Sequence, residues 1–254
     1  LLASSAASDV YKRQELYFQP IYNTDDDSLS GAEALIRWNS RKYGFIGPNT
    51  FIPLLEDSAL IIPLGRWIIN TAAKACNRWI TSIPDFVMHI NLSFVQIVKS
   101  NIVKDVLENI ERYSAANNHY VFEITETIEM DQIPAVQNVF KEFVKNDFRF
   151  AIDDFGTGYS NYGYMRDRTF DIVKVDRSFV TDIDKLKDNY LMVSFIIKMA
   201  HEMGLHVCIE GVETKEELSC VKKLGADYIQ GYYYGKPVCL QDFEEQHLKR
   251  FVLG

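Results

Sequence analysis

The sequence predicts an α/β fold of the TIM type, a (β/α)8 barrel with one antiparallel strand, and three observations carry that expectation. From Glu15 onward, short runs rich in β-branched and aromatic residues alternate with longer stretches of helical period. Eight such runs fall within about 240 residues, close to the roughly 250 usual for this barrel. No linker rich in proline, glycine or serine divides the chain. The first two strands are expected over residues 16–22 and 31–38. Their link, 23–30, carries Asp25, Asp26 and Asp27 and is too short for a crossover helix, so this pair should be antiparallel. The remaining strands are expected at 87–92, 120–124, 149–153, 172–175, 206–209 and 227–229. Between them, amphipathic period predicts helices at 64–80, 102–113, 133–144, 189–203 and 215–224.

Composition narrows the function classes. Of the 254 residues 47% are hydrophobic and 24% charged, an ordinary globular balance. Lysine and arginine total 27 against 35 acids, a formal charge of −8, so no basic footprint for duplex nucleic acid runs along the chain. The apolar stretches at 59–64 and 190–195 meet Arg66 and Lys198 well short of the roughly 20 residues that span a bilayer, and no direct membrane contact is expected. Cys76, Cys208, Cys220 and Cys239 are widely spaced and form no CxxC pair, which reads as reduced thiols in a cytoplasmic domain.

Residues 1–14 are set apart from the domain at 15–254. They show no hydrophobic period, and SSAASDVYKRQ resembles the translation of a sequencing adaptor, so a non-native or disordered segment is expected there. On that reading whatever preceded Glu15 is lost, including any sensory or regulatory domain or membrane anchor of the full-length protein.

Polar residues occupy strand positions that a core would fill with apolar ones. They are Glu33 in GAEALIRW, Asn91 in HINLS, Glu123 in VFEIT, Asp153 and Asp154 in AIDDFGTG, Lys174 in IVKVD, Glu210 in CIEGVET and Gln230 in YIQGY. Each strand contributes roughly one, at or near its carboxyl end, and in a barrel these ends converge on the mouth where active sites lie. Several facing carboxylates require compensating cations. The donors are all oxygen, which selects magnesium, manganese or calcium over zinc. Room for two ions suggests in-line displacement at phosphorus. Taken singly, each acid could be a surface residue, Asn91 with Ser93 could simply cap a helix, and DFG lacks any kinase context. The one-per-strand pattern is what carries the reading. The histidines His89, His119, His201, His206 and His247 share no spacing and receive no role.

GAEALIRW, HINLS, FEITET, IDDFGTGYS, KVDRSFV, IEGVET and QGYYYGKP, in this order, resemble the successive motifs of the EAL domain family of cyclic di-GMP phosphodiesterases. The resemblance extends from Glu15 nearly to the C-terminus. It implies an EAL-type barrel that hydrolyses cyclic di-GMP to linear pGpG with two magnesium or manganese ions, in bacterial signal transduction. By matching motifs, Glu33, Asn91, Glu123 and Asp153 would bind the first metal. Asp153 and Asp154 would share the second, and Glu210 and Gln230 would hold water on the metals. Lys174 would contact the attacking water or the phosphate, and Glu210 is the family's usual candidate for general base. Arg37, on the same strand face as Glu33 and Leu35, can present its planar fork to a phosphate. Leu35 and Gln19 would touch guanine or ribose. Glu126 resembles the residue that anchors the glycine-bearing loop 155–164, which in the family also touches a dimer partner, so a homodimer is expected.

Three departures from the family pattern stand out: Ile209 where a small alanine is common, Asn161 for a serine and Lys236 for an arginine. A family helix that precedes the first strand would also be missing. The alternative to an active enzyme is a catalytically silent cyclic di-GMP receptor, which would ordinarily have lost the EAL glutamate, the paired aspartates or the lysine. All are present here. A third class, an interaction scaffold, predicts neither nucleotide nor metal dependence.

Overall fold

The computed structural model describes residues 14–40, 43–125, 134–157 and 169–248. Its strands are β1 (Gln14–Asn23), β2 (Leu29–Ser40), β3 (Gly44–Ile46), β4 (Val87–Asn91), β5 (Tyr120–Thr125), β6 (Arg149–Phe155), β7 (Ile172–Val175), β8 (His206–Glu210), β9 (Tyr228–Gln230) and β10 (Val238–Cys239). The helices are α1 (Pro48–Asp57), α2 (Ile61–Trp79), α3 (Phe94–Lys99), α4 (Ile102–Ile110), α5 (Pro134–Lys145), α6 (Lys187–Glu202), α7 (Lys215–Leu224) and α8 (Leu240–Phe243).

Eight strands close into a barrel in the order β1-β2-β4-β5-β6-β7-β8-β9 and back to β1, with β3 paired to the end of β2 and β10 to β1. β1 runs antiparallel to both neighbours, while β2, β4, β5, β6, β7, β8 and β9 are mutually parallel. The short aspartate link therefore reverses the chain as expected, and β1 is the one antiparallel strand of the barrel. All eight expected strands are present with ends moved by a few residues. β3, β10 and the helices α1, α3 and α8 were not expected from period, because each is too short to show one or is set by local capping.

Capping explains several of those short elements. Pro48 opens α1, a first-turn position that needs no N–H. Ser93 and Gln96 form a reciprocal capping box at α3, so Ser93 does the capping and Asn91 is left for the barrel. Thr214 and Glu217 repeat the box at α7, which ends at Gly225 with a left-handed φ of 85°.

The core has two parts. Between barrel and helices lies the large cluster that includes Phe18, Trp79 and Phe243, with ring centroids 4.9 Å apart for Phe18 and Trp79 and 4.6 Å for Trp79 and Phe243. Inside the barrel a smaller plug of Ile21, Val121, Ala151, Ile172 and Cys208 is flanked by Val87 and Tyr228. Side chains two residues apart share a strand face. The residues two positions beyond this plug toward the mouth are Gln19, Glu123, Asp153, Lys174, Glu210, His89 and Gln230. An apolar floor thus carries a polar layer above it. All four cysteines are free, with Cys76 and Cys208 buried. Among the described residues no helix is long and apolar enough to cross a membrane.

Candidate active site

Lys174 is the centre of the polar layer. Its side chain is almost wholly buried, and Nζ lies 2.7 Å from Glu210 Oε1, 2.8 Å from Glu123 Oε2, 3.2 Å from Asp153 Oδ1 and 3.3 Å from Glu33 Oε2. Four strands other than its own therefore each supply it a carboxylate. Glu33 is further held by Asn91 Nδ2, which donates to Oε1 over 2.6 Å, and by Gln230 Nε2, which donates to Oε2 over 2.5 Å. Gln230 Nε2 also donates to Gln19 Oε1, 3.2 Å away, and Gln19 Nε2 donates to the Gly235 carbonyl.

Asp154 joins this group through a break in strand geometry. Consecutive side chains of a regular strand point to opposite faces. At Asp154 the backbone turns left-handed, with φ 54°, and the β6–β7 register shifts between Ile152 and Phe155. This irregularity lets oxygens of Asp153, Asp154 and Glu210 come within 4.8 Å of one another, a group that could hold a metal ion. Gly156 and Gly211, with φ 97° and 72°, turn the chain after Asp153–Asp154 and after Glu210. A side chain at Gly211 would collide with Arg177.

The electrostatics show too few positive charges. Burial works against ionising Glu33, but Lys174, Gln230 and Asn91 outweigh it and hold its carboxyl at about 2. Burial pushes Glu210 up to about 8, against the attraction of Lys174 and with added repulsion from Asp153 and Glu33. Glu123 is raised well above the usual carboxylate range by burial and by Glu33. Burial and Asp153 raise Asp154 to about 6. Burial disfavours the Lys174 ammonium, yet Asp153, Glu123, Glu210 and Glu33 together hold it protonated. One ammonium among five carboxylates is too little charge for all of them to ionise.

The residues fit divalent cations. The donors are carboxylate and amide oxygens, as hard cations require. Asp153 Oδ1, despite its proximity to Lys174, and Gln230 Oε1 are buried acceptors that receive no hydrogen bond. Such oxygens are satisfied by a cation as well as by a donor.

The other expected residues separate into two groups. Leu35 and Arg37 lie half-buried further along the face of β2 that carries Glu33. The Arg37 guanidinium sits 5.9 Å from the centre of the Tyr17 ring and donates to the Ile36 carbonyl over 2.9 Å. Glu126, Asn161 and all but Phe155, Gly156 and Thr157 of the loop 155–164 lie outside the described residues. Ile209 is fully buried in the outer cluster, on the strand face opposite Glu210. Lys236 holds its ammonium 5.1 Å over the Tyr232 ring.

One residue of the site received no role from the sequence. His89, on β4, is buried and its Nδ1 lies 2.7 Å from Glu123 Oε1. Burial, reinforced by Lys174, lowers it to about 3, so the imidazole is neutral. Its position two residues before Asn91 on the inward strand face was the clue available in HINLS.

The EAL domain family profile matches residues 9–237. The chain belongs to the EAL domain family. Among curated proteins, this EAL domain is 32% identical over 227 residues to the probable cyclic di-GMP phosphodiesterase PdeG of Escherichia coli, covering 89% of the chain and 45% of that protein. It is also 32% identical over 225 residues to the cyclic di-GMP phosphodiesterase PdeL of the same organism, covering 87% of the chain and 62% of that protein. The chain thus spans less than two thirds of the length of these relatives. Among solved structures, it resembles the EAL enzyme Bd1971 in its cAMP- and cyclic-di-GMP-bound form, with a TM-score of 0.89, 35% identity and coverage of 96% of this chain and 67% of that one. It also resembles the PaMucR phosphodiesterase in its c-di-GMP complex, with a TM-score of 0.88, 28% identity and coverage of 96% and 100%. The barrel expected from the sequence is the fold of this family.

Proposed function

We propose that this EAL domain is a phosphodiesterase that hydrolyses cyclic di-GMP to linear pGpG, using magnesium or manganese held at the barrel mouth. The observation that supports it most is the convergence of Glu33, Glu123, Asp153 and Glu210 on one buried lysine, with Asp154 beside them. A silent receptor would be expected to lack part of that set. Relatives over most of the chain are named as cyclic di-GMP phosphodiesterases, which agrees with this reading.

Glu33, Asn91, Glu123 and Asp153 would hold one cation, and Asp153 with Asp154 the other, and Glu210 and Gln230 would hold water on the metals. The cations would lower the pKa of water and draw charge from the leaving oxygen. Glu210, raised to about 8 by burial, would accept the proton of attacking water. Lys174 Nζ, 2.7 Å from Glu210, orients that carboxylate and supplies positive charge where the phosphoryl oxygens become more negative. Arg37 would pair with a phosphate of the substrate, while Leu35 and Gln19 would line the guanine or ribose. Tyr17, beneath the guanidinium, keeps Arg37 along the face of β2.

The reading extends to a homodimer, with Glu126 anchoring the loop 155–164 that meets the partner. It draws support from α6, whose Leu191, Met192 and Phe195 are exposed, Leu191 and Phe195 one turn apart. It also includes a cytoplasmic location, in keeping with four free thiols.

The deciding experiment incubates the protein with cyclic di-GMP in magnesium, manganese or EDTA and separates the products by chromatography. Metal-dependent pGpG is the expected result. Intact substrate that nonetheless binds would make the domain a receptor, and neither binding nor turnover would make it a scaffold.

A further inference from the structure

His89 is the one buried side chain of the polar layer that the proposed chemistry does not use. It stands directly on the apolar plug, since Val87 precedes it by two on the same face of β4 and Val121 is its register partner on β5. Glu123, registered with Asn91, is the next inward residue of β5 after Val121. The two oxygens of Glu123 have different partners. Oε1 meets His89 Nδ1 at 2.7 Å and Oε2 meets Lys174 Nζ at 2.8 Å. These contacts are not equally exchangeable. Lys174 has three other carboxylates within 3.3 Å, so releasing Oε2 costs it little. Oε1 is tied to a rigid imidazole that is packed from below.

We infer that His89 is a positioning residue that reserves Glu123 Oε1 and so limits Glu123 to a single donor oxygen toward a cation. The consequence is selectivity among hard cations. Magnesium, and manganese with it, takes about six ligands in a near-octahedral shell and accepts one oxygen per carboxylate. Calcium takes about six to eight ligands and commonly uses both oxygens of a carboxylate. A glutamate with one oxygen withheld therefore favours the smaller ions. This inference rests on reading the barrel mouth as a divalent-cation centre.

The test titrates magnesium, manganese and calcium chlorides separately into the metal-free protein by calorimetry, without nucleotide. It compares the native chain with His89→Leu and His89→Asn. Leucine fills the site without a donor, whereas asparagine keeps an N–H about where Nδ1 lies. Thermal unfolding of each metal-free protein checks that the barrel is intact. The expected result is that His89→Leu loses about ten-fold in magnesium affinity, the lower end of what such supporting contacts are worth. Its calcium affinity should hold or rise, so that the magnesium-to-calcium ratio falls, and His89→Asn should restore the native ratio. An unchanged ratio in folded His89→Leu overturns the role of His89 while leaving the centre standing. Equal ratios in the leucine and asparagine variants do the same. A native protein that binds none of the three ions overturns the centre and the inference together.

Discussion

Lys174 Nζ and Glu210 Oε1 stand 2.7 Å apart at the mouth ends of adjacent strands β7 and β8, and this is the tightest of four ion pairs on one buried ammonium. The lysine does for the metal-free barrel what cations would do in part for the loaded one: it keeps facing carboxylates from repelling the strands that carry them. The same residue is thus structural and chemical, and substitutions should separate the two roles.

Replacing Lys174 by methionine keeps the stem and removes the charge. Breaking a buried ion pair by deleting one partner typically costs about 3–5 kcal/mol. Denaturant unfolding in metal-free buffer is expected to show a loss at the lower end of that range, because the carboxylates can protonate, and cyclic di-GMP turnover should vanish. Native stability in Lys174→Met would show that the ammonium is not the internal counter-charge.

Glu33→Ala should act differently. It removes the carboxylate that Asn91, Gln230 and Lys174 all hold. Magnesium binding is expected to weaken by at least about ten-fold and pGpG formation to cease, the loss of a ligand being at least as costly as the loss of its support. Wild-type turnover in this variant would rule out the proposed metal mechanism.

Glu217 links two loops at the mouth. Its Oε2 accepts from the backbone N–H of Glu213 and Thr214, and its Oε1 accepts from the N–H of Asp182 in the segment after β7. Glu217→Gln retains one acceptor oxygen and can keep the cap while losing the inter-loop bond, at about 1 kcal/mol. Glu217→Ala loses both, at about 2 kcal/mol or more. Equal unfolding free energies for the two variants would mean that the inter-loop bond contributes nothing.

Asp227 supplies a pH dependence away from the mouth. Although burial opposes its ionisation, hydrogen bonds from His206, His201 and the Val207 N–H lower it to about 2. Its contribution is therefore present above its unfolded value near 4 and lost as pH falls through about 2. His206 is raised by its bond to Asp227, so its share is complete below about 6.5 and is lost as pH rises through its folded value. With partly exposed partners the pair is worth about 1 kcal/mol. Unfolding followed from pH 3 to 9 should show Asp227→Asn less stable below pH 6, with the gap narrowing as His206 deprotonates. A gap that widens with pH would reverse the assignment.

The succession of strands and helices along the chain and the identity of the acid layer were legible in the chain itself. Strand period two and helix period 3.6 are local properties, and the interruption of each strand by one polar residue at its end is visible without knowing what lies opposite. The 23–30 link likewise required antiparallel β1 and β2 because of its length alone. By contrast β3, with three residues, and β10, with two, offer no period to read.

What only the tertiary structure decided are relations between residues far apart or against the local pattern. Glu33 and Lys174 are separated by 141 positions, and only closure of the barrel makes the lysine the hub rather than a solvated strand end. Asp153 and Asp154, adjacent in sequence, should face opposite sides of β6, and the left-handed turn and register shift let oxygens of both approach Glu210. Spacing from Asn91 gives the strand face of His89 but not its role, because its partner Glu123 lies on another strand. Periodicity determines which face of a strand a residue takes; which side chains then share a few ångströms of buried space depends on strand order and register, and those are set by packing across the whole barrel.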